Sequence, residues 1–93
     1  MIVGFLTLDL HIPEANSLKS KRVVVKSLID RIKNKFNVSV AEVDAQNLWQ
    51  RYIIGIAFVS NETVMINRVF EKIRTQVLGT HSVELIDSTI EML

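Results

Sequence analysis

The sequence predicts a single α+β domain, residues 1–93, in which four strands and two helices follow one another in the order β-α-β-β-α-β. Three observations predict this class. Apolar residues alternate with a period of two in short stretches, which is typical of strands. They recur every three or four residues in two longer stretches, which is typical of amphipathic helices. The 93 residues, 48% of them hydrophobic and none of them cysteine, suffice for one core that forms without disulfides.

The first half of the chain is predicted to contain a strand, a helix and a second strand. Residues 2–11 alternate, and one face of this strand is strongly apolar. Ser17 is a favourable N-cap for a helix that runs to about Phe36. The stripe of this helix that is predicted to be buried consists of Leu18, Val25, Leu28, Ile29, Ile32 and Phe36. Residues 37–43 then form the second strand.

The third strand is predicted to lie in the middle of the sheet. A turn-rich loop over residues 44–48 leads into it, and it begins at Trp49 or Arg51 and ends at Val59. Its two faces are both apolar, which is typical of a strand that is covered on both sides.

The remaining elements complete a ferredoxin-like fold. Ser60 or Asn61 is expected to cap the second helix, and Gly79 is expected to stop it. The predicted buried face of this helix consists of Ile66, Val69, Phe70, Ile73 and Val77. Residues 82–90 form the last strand. With right-handed crossovers the six elements interlock as a four-stranded antiparallel sheet, with the first and third strands central and both helices on one face.

The face of the sheet that the helices leave free is predicted to be apolar. Its members are Phe5, Ile53, Gly55, Ala57 and Val59. An exposed apolar patch of this kind marks a partner surface. Because the two smallest side chains in it allow a close approach, we expect a homodimer through this face.

The net charge of +1 hides an uneven distribution of charge along the chain. Residues 19–35 hold seven of the eleven basic residues and a single acid, Asp30, so this segment carries +6. The rest of the chain holds four basic residues and nine acids, so it carries −5. A basic first helix on an acidic body favours a polyanionic partner.

The start of the first helix carries positive charge where helix physics disfavours it. Its first turn holds Lys19, Lys21 and Arg22 and no acid, although a helix N-terminus already carries about half a positive charge. Each cation there costs up to ~1 kcal/mol. A phosphate that is held by the unpaired N–H groups of the helix start would explain this pattern.

Four cations also share one side of the first helix. Lys19, Arg22, Lys26 and Lys33 fall within an arc of about 60° beside the buried stripe and span roughly 20 Å. A run of nucleic-acid phosphates fits this spacing better than one small metabolite does. Lys21 lies closer to the apolar stripe and is expected to extend past the helix end into solvent.

Other interpretations of the basic helix stay open at this point. It fits a solvated helix face that binds nothing, because basic residues are common on such faces. It also fits a protein-interaction module that docks on an acidic partner, including the acidic body of a second copy. A third alternative is an enzyme that handles phosphate at the helix start.

Trp49 and Arg51, with Gln50 between them, form a second candidate contact. An aromatic ring beside an arginine and an amide can stack on an unpaired base and hydrogen-bond to it. The alternative is a tryptophan that anchors the hairpin to the core. The strand that follows lacks the stacking aromatics of RNA-recognition domains, so RNA readout on the sheet face is not expected.

No catalytic or metal-binding motif is found in the sequence. A phosphate-binding glycine loop, a nucleophile elbow and an HExxH pattern are all missing. His11 and His81 are expected near Asp9, but strand-end polar residues account for them, and we expect no metal and no cofactor. Residues 1–10 lack the basic lead of a signal peptide and alternate like a strand, and no apolar run approaches about 18 residues, so we expect neither a signal peptide nor a membrane span. We therefore expect a cytoplasmic, non-enzymatic protein without a membrane partner.

Four stretches resemble the YlxP-like family of small bacterial proteins. They are residues 17–22, 36–43, 49–51 and 55–61, and the resemblance covers most of the chain. It implies a ferredoxin-like fold without known catalytic residues. Genes of this family often lie beside those for transcription, translation and ribosome-maturation factors, which implies a role near RNA or the small ribosomal subunit, in its maturation or in translation.

The sequence therefore predicts an RNA- or ribosome-associated protein that recognises phosphate positions and shape rather than bases. Its predicted phosphate contacts are Lys19, Lys21, Arg22, Lys26 and Lys33, with Trp49 and Arg51 as a second contact.

Overall fold

A computed structural model describes residues 1–44 and 50–93 of the chain. Its elements are β1 (Ile2–His11), α1 (Leu18–Lys35), β2 (Ser39–Asp44), β3 (Arg51–Ser60), α2 (Thr63–Leu78) and β4 (Glu84–Met92). This order confirms the predicted one, and the bounds of the elements lie within two residues of the predicted bounds.

The four strands form one antiparallel sheet in the order β2-β3-β1-β4. The two ten-residue strands β1 and β3 lie in the middle and pair along their whole length, from Ile2 opposite Ser60 to His11 opposite Arg51. This arrangement confirms the ferredoxin-like fold. It also confirms that the third strand, which is apolar on both faces, is central.

The core lies between the sheet and the two helices. Alternate residues of β1 point into it because side chains along a strand alternate between faces, and Leu6, Leu8 and Leu10 are fully buried. The other strand and helix residues that line this core are Tyr52, Ile54, Ile56, Val25, Leu28, Ile32, Ile66, Phe70, Ile73 and Val77. The predicted stripe residues Ile29, Phe36 and Val69 are half-buried and pack against this core, and Leu18 is half-buried.

The two helices begin in different ways. The N-cap of α1 is Ser17, as predicted, and Ser17 and Ser20 form a reciprocal capping box. The prediction for α2 is wrong, because its N-cap is Glu62 rather than Ser60 or Asn61, and the Glu62 side chain makes no capping hydrogen bond. The hydroxyl of Ser60 instead accepts the N–H of Glu62 at 3.2 Å.

The predicted stop of α2 is confirmed, since Gly79 is its C-cap. In the described part of the chain, no helix has the length and apolar character needed to cross a membrane.

Gly4 is a buried position at which no side chain fits. A Cβ atom there would overlap Ile66 Cγ2 and lie 3.0 Å from the Phe70 ring. We expect Gly4→Ala to lower the free energy of unfolding by about 1–3 kcal/mol, measured by urea denaturation, because the packed core cannot take up the methyl group without moving.

Gly79→Ala is the matched control for Gly4→Ala. A Cβ atom at Gly79 would have no neighbour closer than 3.5 Å, and φ there is −83°, which any residue adopts. The free energy of unfolding should therefore change by less than about 0.5 kcal/mol. Equal losses in the two variants would contradict this account of the packing.

Candidate functional site

The candidate site is a stripe of basic side chains along α1, which we call the basic stripe. It consists of Lys19, Arg22, Lys26 and Lys33, all of them exposed. They lie beside the helix face that buries Val25, within an arc of about 60°. From Lys19 to Lys33 the helix rises about 21 Å, so the charges form a line rather than a cluster.

Few acids neutralise the basic stripe. Lys26 Nζ lies 3.7 Å from Asp30 Oδ2, but both side chains are mostly exposed, and ion pairs of this kind contribute little. Within the described residues, Lys19, Arg22 and Lys33 have no ion pair. Their positive charge is therefore available to an external anion.

The structure contradicts the prediction that Lys21 extends into solvent to hold a phosphate. Only 1% of this residue is exposed. Its Nζ atom donates to the carbonyl oxygen of Arg51 at 3.2 Å, lies 3.9 Å from Glu42 Oε2 and stands 5.0 Å from the centre of the Tyr52 ring. Burial lowers the pKa of Lys21, and the charge of Glu42 opposes that shift. Lys21 thus joins α1 to β2 and β3.

The buried pair of Lys21 and Glu42 was missed by the sequence reasoning, although a signal for it exists. Lys21 falls on the buried stripe of α1, and Glu42 alternates with Val38 and Val40, which face the core. A cation and an acid that both point inward from neighbouring elements predict a pair, since a buried charge needs a partner.

The start of α1 is partly capped by its own side chains. The N–H of Ser20 donates to Ser17 Oγ at 3.1 Å, and the N–H groups of Ser17 and Asn16 donate to Ser20 Oγ at 3.2 and 3.1 Å. With these groups satisfied and Lys21 turned inward, the three first-turn cations do not converge on one phosphate. The basic stripe along the helix remains as the candidate for binding anions.

Arg51 is engaged on the face of the sheet that the helices leave free. Its Nε and Nη2 atoms donate to the two carboxylate oxygens of Asp9 at 2.9 and 2.6 Å. Hydrogen bonding to Arg51 holds the pKa of Asp9 below its usual range. A guanidinium in such a bidentate pair is less free to meet a base. Trp49, its predicted neighbour in that contact, lies outside the described residues.

The first histidine, His11, ends β1, and the second, His81, lies in a turn. His11 Nδ1 lies 3.3 Å from Glu84 Oε2 on the neighbouring strand, and His81 is exposed in the turn before β4. Among residues 1–44 and 50–93, no group of three or more side chains has the types and positions of a metal site.

The free face of the sheet, which we call the outer face, carries the predicted apolar residues. Phe5 pairs opposite Ala57 and is 37% exposed, and Val59 is 55% exposed. A bulge in β2 removes Val43 from the strand pairing, and Val43 lies against Gly55. The depression that results has a volume of about 420 Å³ and is lined by Phe5, Leu6, Thr7, Ser39, Ala41, Val43, Gly55, Ile56 and Ala57.

Comparison with known sequences finds relatives over most of the chain. A family model described as "Protein of unknown function (DUF503)" matches residues 3–90. The "Uncharacterized protein YlxP" of Bacillus subtilis (strain 168) is 40% identical over 72 residues, which cover 77% of this chain and 78% of that protein. These matches confirm the resemblance that the sequence motifs indicate.

Comparison with solved structures supports the fold alone. A de novo designed protein with a ferredoxin fold matches with a TM-score of 0.58 and 11% identity, over 100% of this chain and 84% of the design. A candidate chlorite dismutase matches with a TM-score of 0.51 and 10% identity, over 99% of this chain but 44% of the other. At these identities the likeness carries no information about activity.

The cluster around Tyr52 predicts a pH dependence of stability. Burial, followed by the charge and hydrogen bonding of Glu42, raises the pKa of Tyr52 from 10.0 to about 12. The unfolded chain therefore loses this proton first, and stability falls as the pH rises through that window. We expect Tyr52→Phe to remove roughly 1–3 kcal/mol of this loss, in denaturation curves recorded at a series of alkaline pH values.

Lys21 provides an internal check on that experiment. Because its folded pKa is lowered, the unfolded chain binds more protons than the folded chain just below pH 10.5, and stability there rises with pH. Both proteins contain Lys21, so the difference between their curves isolates Tyr52. Curves that stay parallel between pH 10 and 12 would contradict the assignment.

Proposed function

The chain belongs to the DUF503 family, and we propose that it is a non-enzymatic RNA- or ribosome-associated protein that binds the phosphate backbone through the basic stripe of α1. The observation that carries this proposal is the line of exposed cations, three of them without an acid partner in the described residues. Association with the small ribosomal subunit, in its maturation or in translation, rests on the resemblance to YlxP-like proteins.

The spacing of the basic stripe supports a polymer of phosphates as the ligand. Along the helix the successive cations are separated by rises of about 4.5, 6 and 10.5 Å. One phosphate touches at most two such positions, whereas a nucleic-acid strand presents charges at intervals of several ångström along its length. Contacts of this type fix where the RNA lies and carry no base information.

The outer face supports recognition of the backbone rather than of bases. Proteins that read single-stranded RNA on a sheet do so by stacking bases on aromatic side chains. Here the corresponding positions of β3 are Ile53, Gly55, Ala57 and Val59, and Phe5 is the aromatic residue on the adjacent positions of β1. Aliphatic and small side chains offer no stacking platform.

We further propose that the outer face joins two copies of the chain. Four strands about 4.8 Å apart, with central strands of ten residues at about 3.3 Å per residue, present roughly 600 Å² per copy. Two such faces bury roughly 1,200 Å², the lower end of stable interfaces. The depression beside Phe5 gives this face both a projection and a hollow, so a two-fold pairing places each Phe5 against the hollow of the other copy.

Removal of two cations from the basic stripe should weaken RNA binding in a salt-dependent way. We expect Arg22→Ala/Lys33→Ala to reduce the magnitude of the slope of log K against log salt by about 1.4, since each phosphate contact on a single strand contributes about 0.7 to that slope. The measurement is fluorescence anisotropy with protein-free fragments of small-subunit ribosomal RNA over a salt series.

The control for the stripe variant is Arg31→Ala/Arg74→Ala, which removes two positive charges outside the stripe. Arg31 donates to the carbonyl of Ser27, and Arg74 pairs with Glu71. The slope should stay at the wild-type value in this variant. Equal slopes in the two variants, or binding to an acidic protein without binding to RNA, would overturn the proposal.

A charge placed on the outer face should separate the two copies. We expect Val59→Lys to shift the mass measured by sedimentation equilibrium from twice the chain mass to the chain mass of 10.6 kDa, because burying an unpaired ammonium is unfavourable. Val64→Lys is the matched control, since Val64 is 65% exposed on α2. A wild-type protein that sediments as a monomer would refute the dimer.

A further inference from the structure

A groove opens between the end of α1 and one side of α2, away from both the basic stripe and the outer face. Its volume is about 800 Å³. The residues that line it are Lys35, Asn67, Arg68, Glu71, Lys72, Thr75 and Gln76. All but Lys35 belong to α2, so the groove runs along one flank of this helix.

Three cations face this groove from two different helices. Lys35 comes from the last turn of α1, and Arg68 and Lys72 lie one turn apart on α2. Within the described residues none of the three has an ion pair. Lys35 Nζ instead stands 5.7 Å from the centre of the Phe36 ring.

The acid in the groove does not neutralise these cations. Glu71 accepts hydrogen bonds from Arg74 Nη1 at 3.1 and 3.2 Å through its two oxygens. Like charges four residues apart on a helix, such as Arg68 and Lys72, destabilise it. An anion that binds between the three cations attracts each of them and thereby offsets this repulsion.

A hydrogen-bond acceptor without a partner lies beneath the lining of the groove. Gln76 Oε1 is buried and has no hydrogen-bond partner among the described residues, and a buried polar atom without a partner is unusual. The nearby Thr75 hydroxyl is already committed, since it donates to the carbonyl oxygen of Glu71 at 2.9 Å. A hydroxyl or amino group of a ligand would satisfy this oxygen once the Gln76 side chain turns it toward the groove.

We infer that this groove binds a nucleotide, with its phosphate between Lys35, Arg68 and Lys72 and a hydroxyl or amino group of its sugar or base on Gln76. A nucleotide carries both the negative charge and the donor that the groove requires, and its size is compatible with about 800 Å³. This inference does not rest on the basic stripe, which lies on other positions of α1.

The same chemistry is provided by a free mononucleotide and by one unit of an RNA strand. The test therefore titrates the full-length, ¹⁵N-labelled protein with nucleoside 5′-monophosphates, the matching nucleosides, inorganic phosphate and a short single-stranded RNA. The side-chain amide signals of Asn67 and Gln76 report on the groove directly. A tetranucleotide that binds about tenfold tighter than the monophosphate identifies RNA as the source, and equal affinities identify the free nucleotide.

We expect saturable shifts of both amide signals with at least one monophosphate, and weaker binding of the nucleoside and of inorganic phosphate. Arg68→Gln/Lys72→Gln should lower the affinity for the monophosphate by about tenfold or more, because two charge-assisted contacts are lost. Arg31→Gln is the control, because Arg31 lies outside both the groove and the basic stripe and donates to the carbonyl oxygen of Ser27; it should bind the monophosphate like the wild type.

Gln76→Leu separates the two halves of the inferred site. This variant should lower the affinity for the nucleoside monophosphate and leave the affinity for inorganic phosphate unchanged, because it removes the acceptor and keeps the three cations. No shift of the Asn67 and Gln76 amides with any of the four common monophosphates at millimolar concentration would overturn the inference. Binding of an acidic peptide in place of nucleotides would overturn it as well. Neither result would change the salt dependence of RNA binding that we expect for the variants of the basic stripe.

Discussion

Both crossover connections place their helices on the same face of the sheet, and the other surfaces of the molecule follow from this constraint. The helices cover Leu6, Leu8 and Leu10 of β1, so the alternate residues of that strand, Phe5 among them, are left on the outer face. Because each helix buries only one stripe, α1 is free to carry the basic stripe on its flank. The groove lies between the end of α1 and α2. One packing arrangement thus separates an apolar face, a cationic helix flank and a cationic groove.

The basic residues of α1 have two different roles. Lys21 is turned into the protein, where its ammonium satisfies the carbonyl oxygen of Arg51 and faces Glu42. This buried contact fixes the start of α1 against β2 and β3. The exposed cations follow on the adjacent side of the same helix, so a rigid element holds the phosphate contacts that we propose. The capping box of Ser17 and Ser20 fixes the same end of the helix.

Periodicity predicted the order of the elements and the sheet topology, because alternation and helical spacing report directly on which side chains are buried. Local chemistry was harder to predict. Glu62 rather than Ser60 became the N-cap of α2, since cap positions depend on backbone angles that residue type only biases. Periodicity places Lys21 and Glu42 on inward-facing positions, but it does not show that Lys21 also donates to the carbonyl oxygen of Arg51 on a third element. The groove on α2 also escaped prediction, because Lys35 reaches it from a distant part of the sequence.

If RNA lies along α1 as we propose, a map of backbone amide shifts will show it. The ¹⁵N-labelled protein is titrated with a single-stranded RNA at low salt. The residues whose signals shift are then mapped onto the basic stripe, the outer face and the groove. We expect the largest shifts on residues 19–33, at and beside the exposed cations, and we expect these shifts to become smaller as salt is added. Shifts confined to the outer face, or a folded protein whose spectrum does not change with RNA, would contradict this proposal.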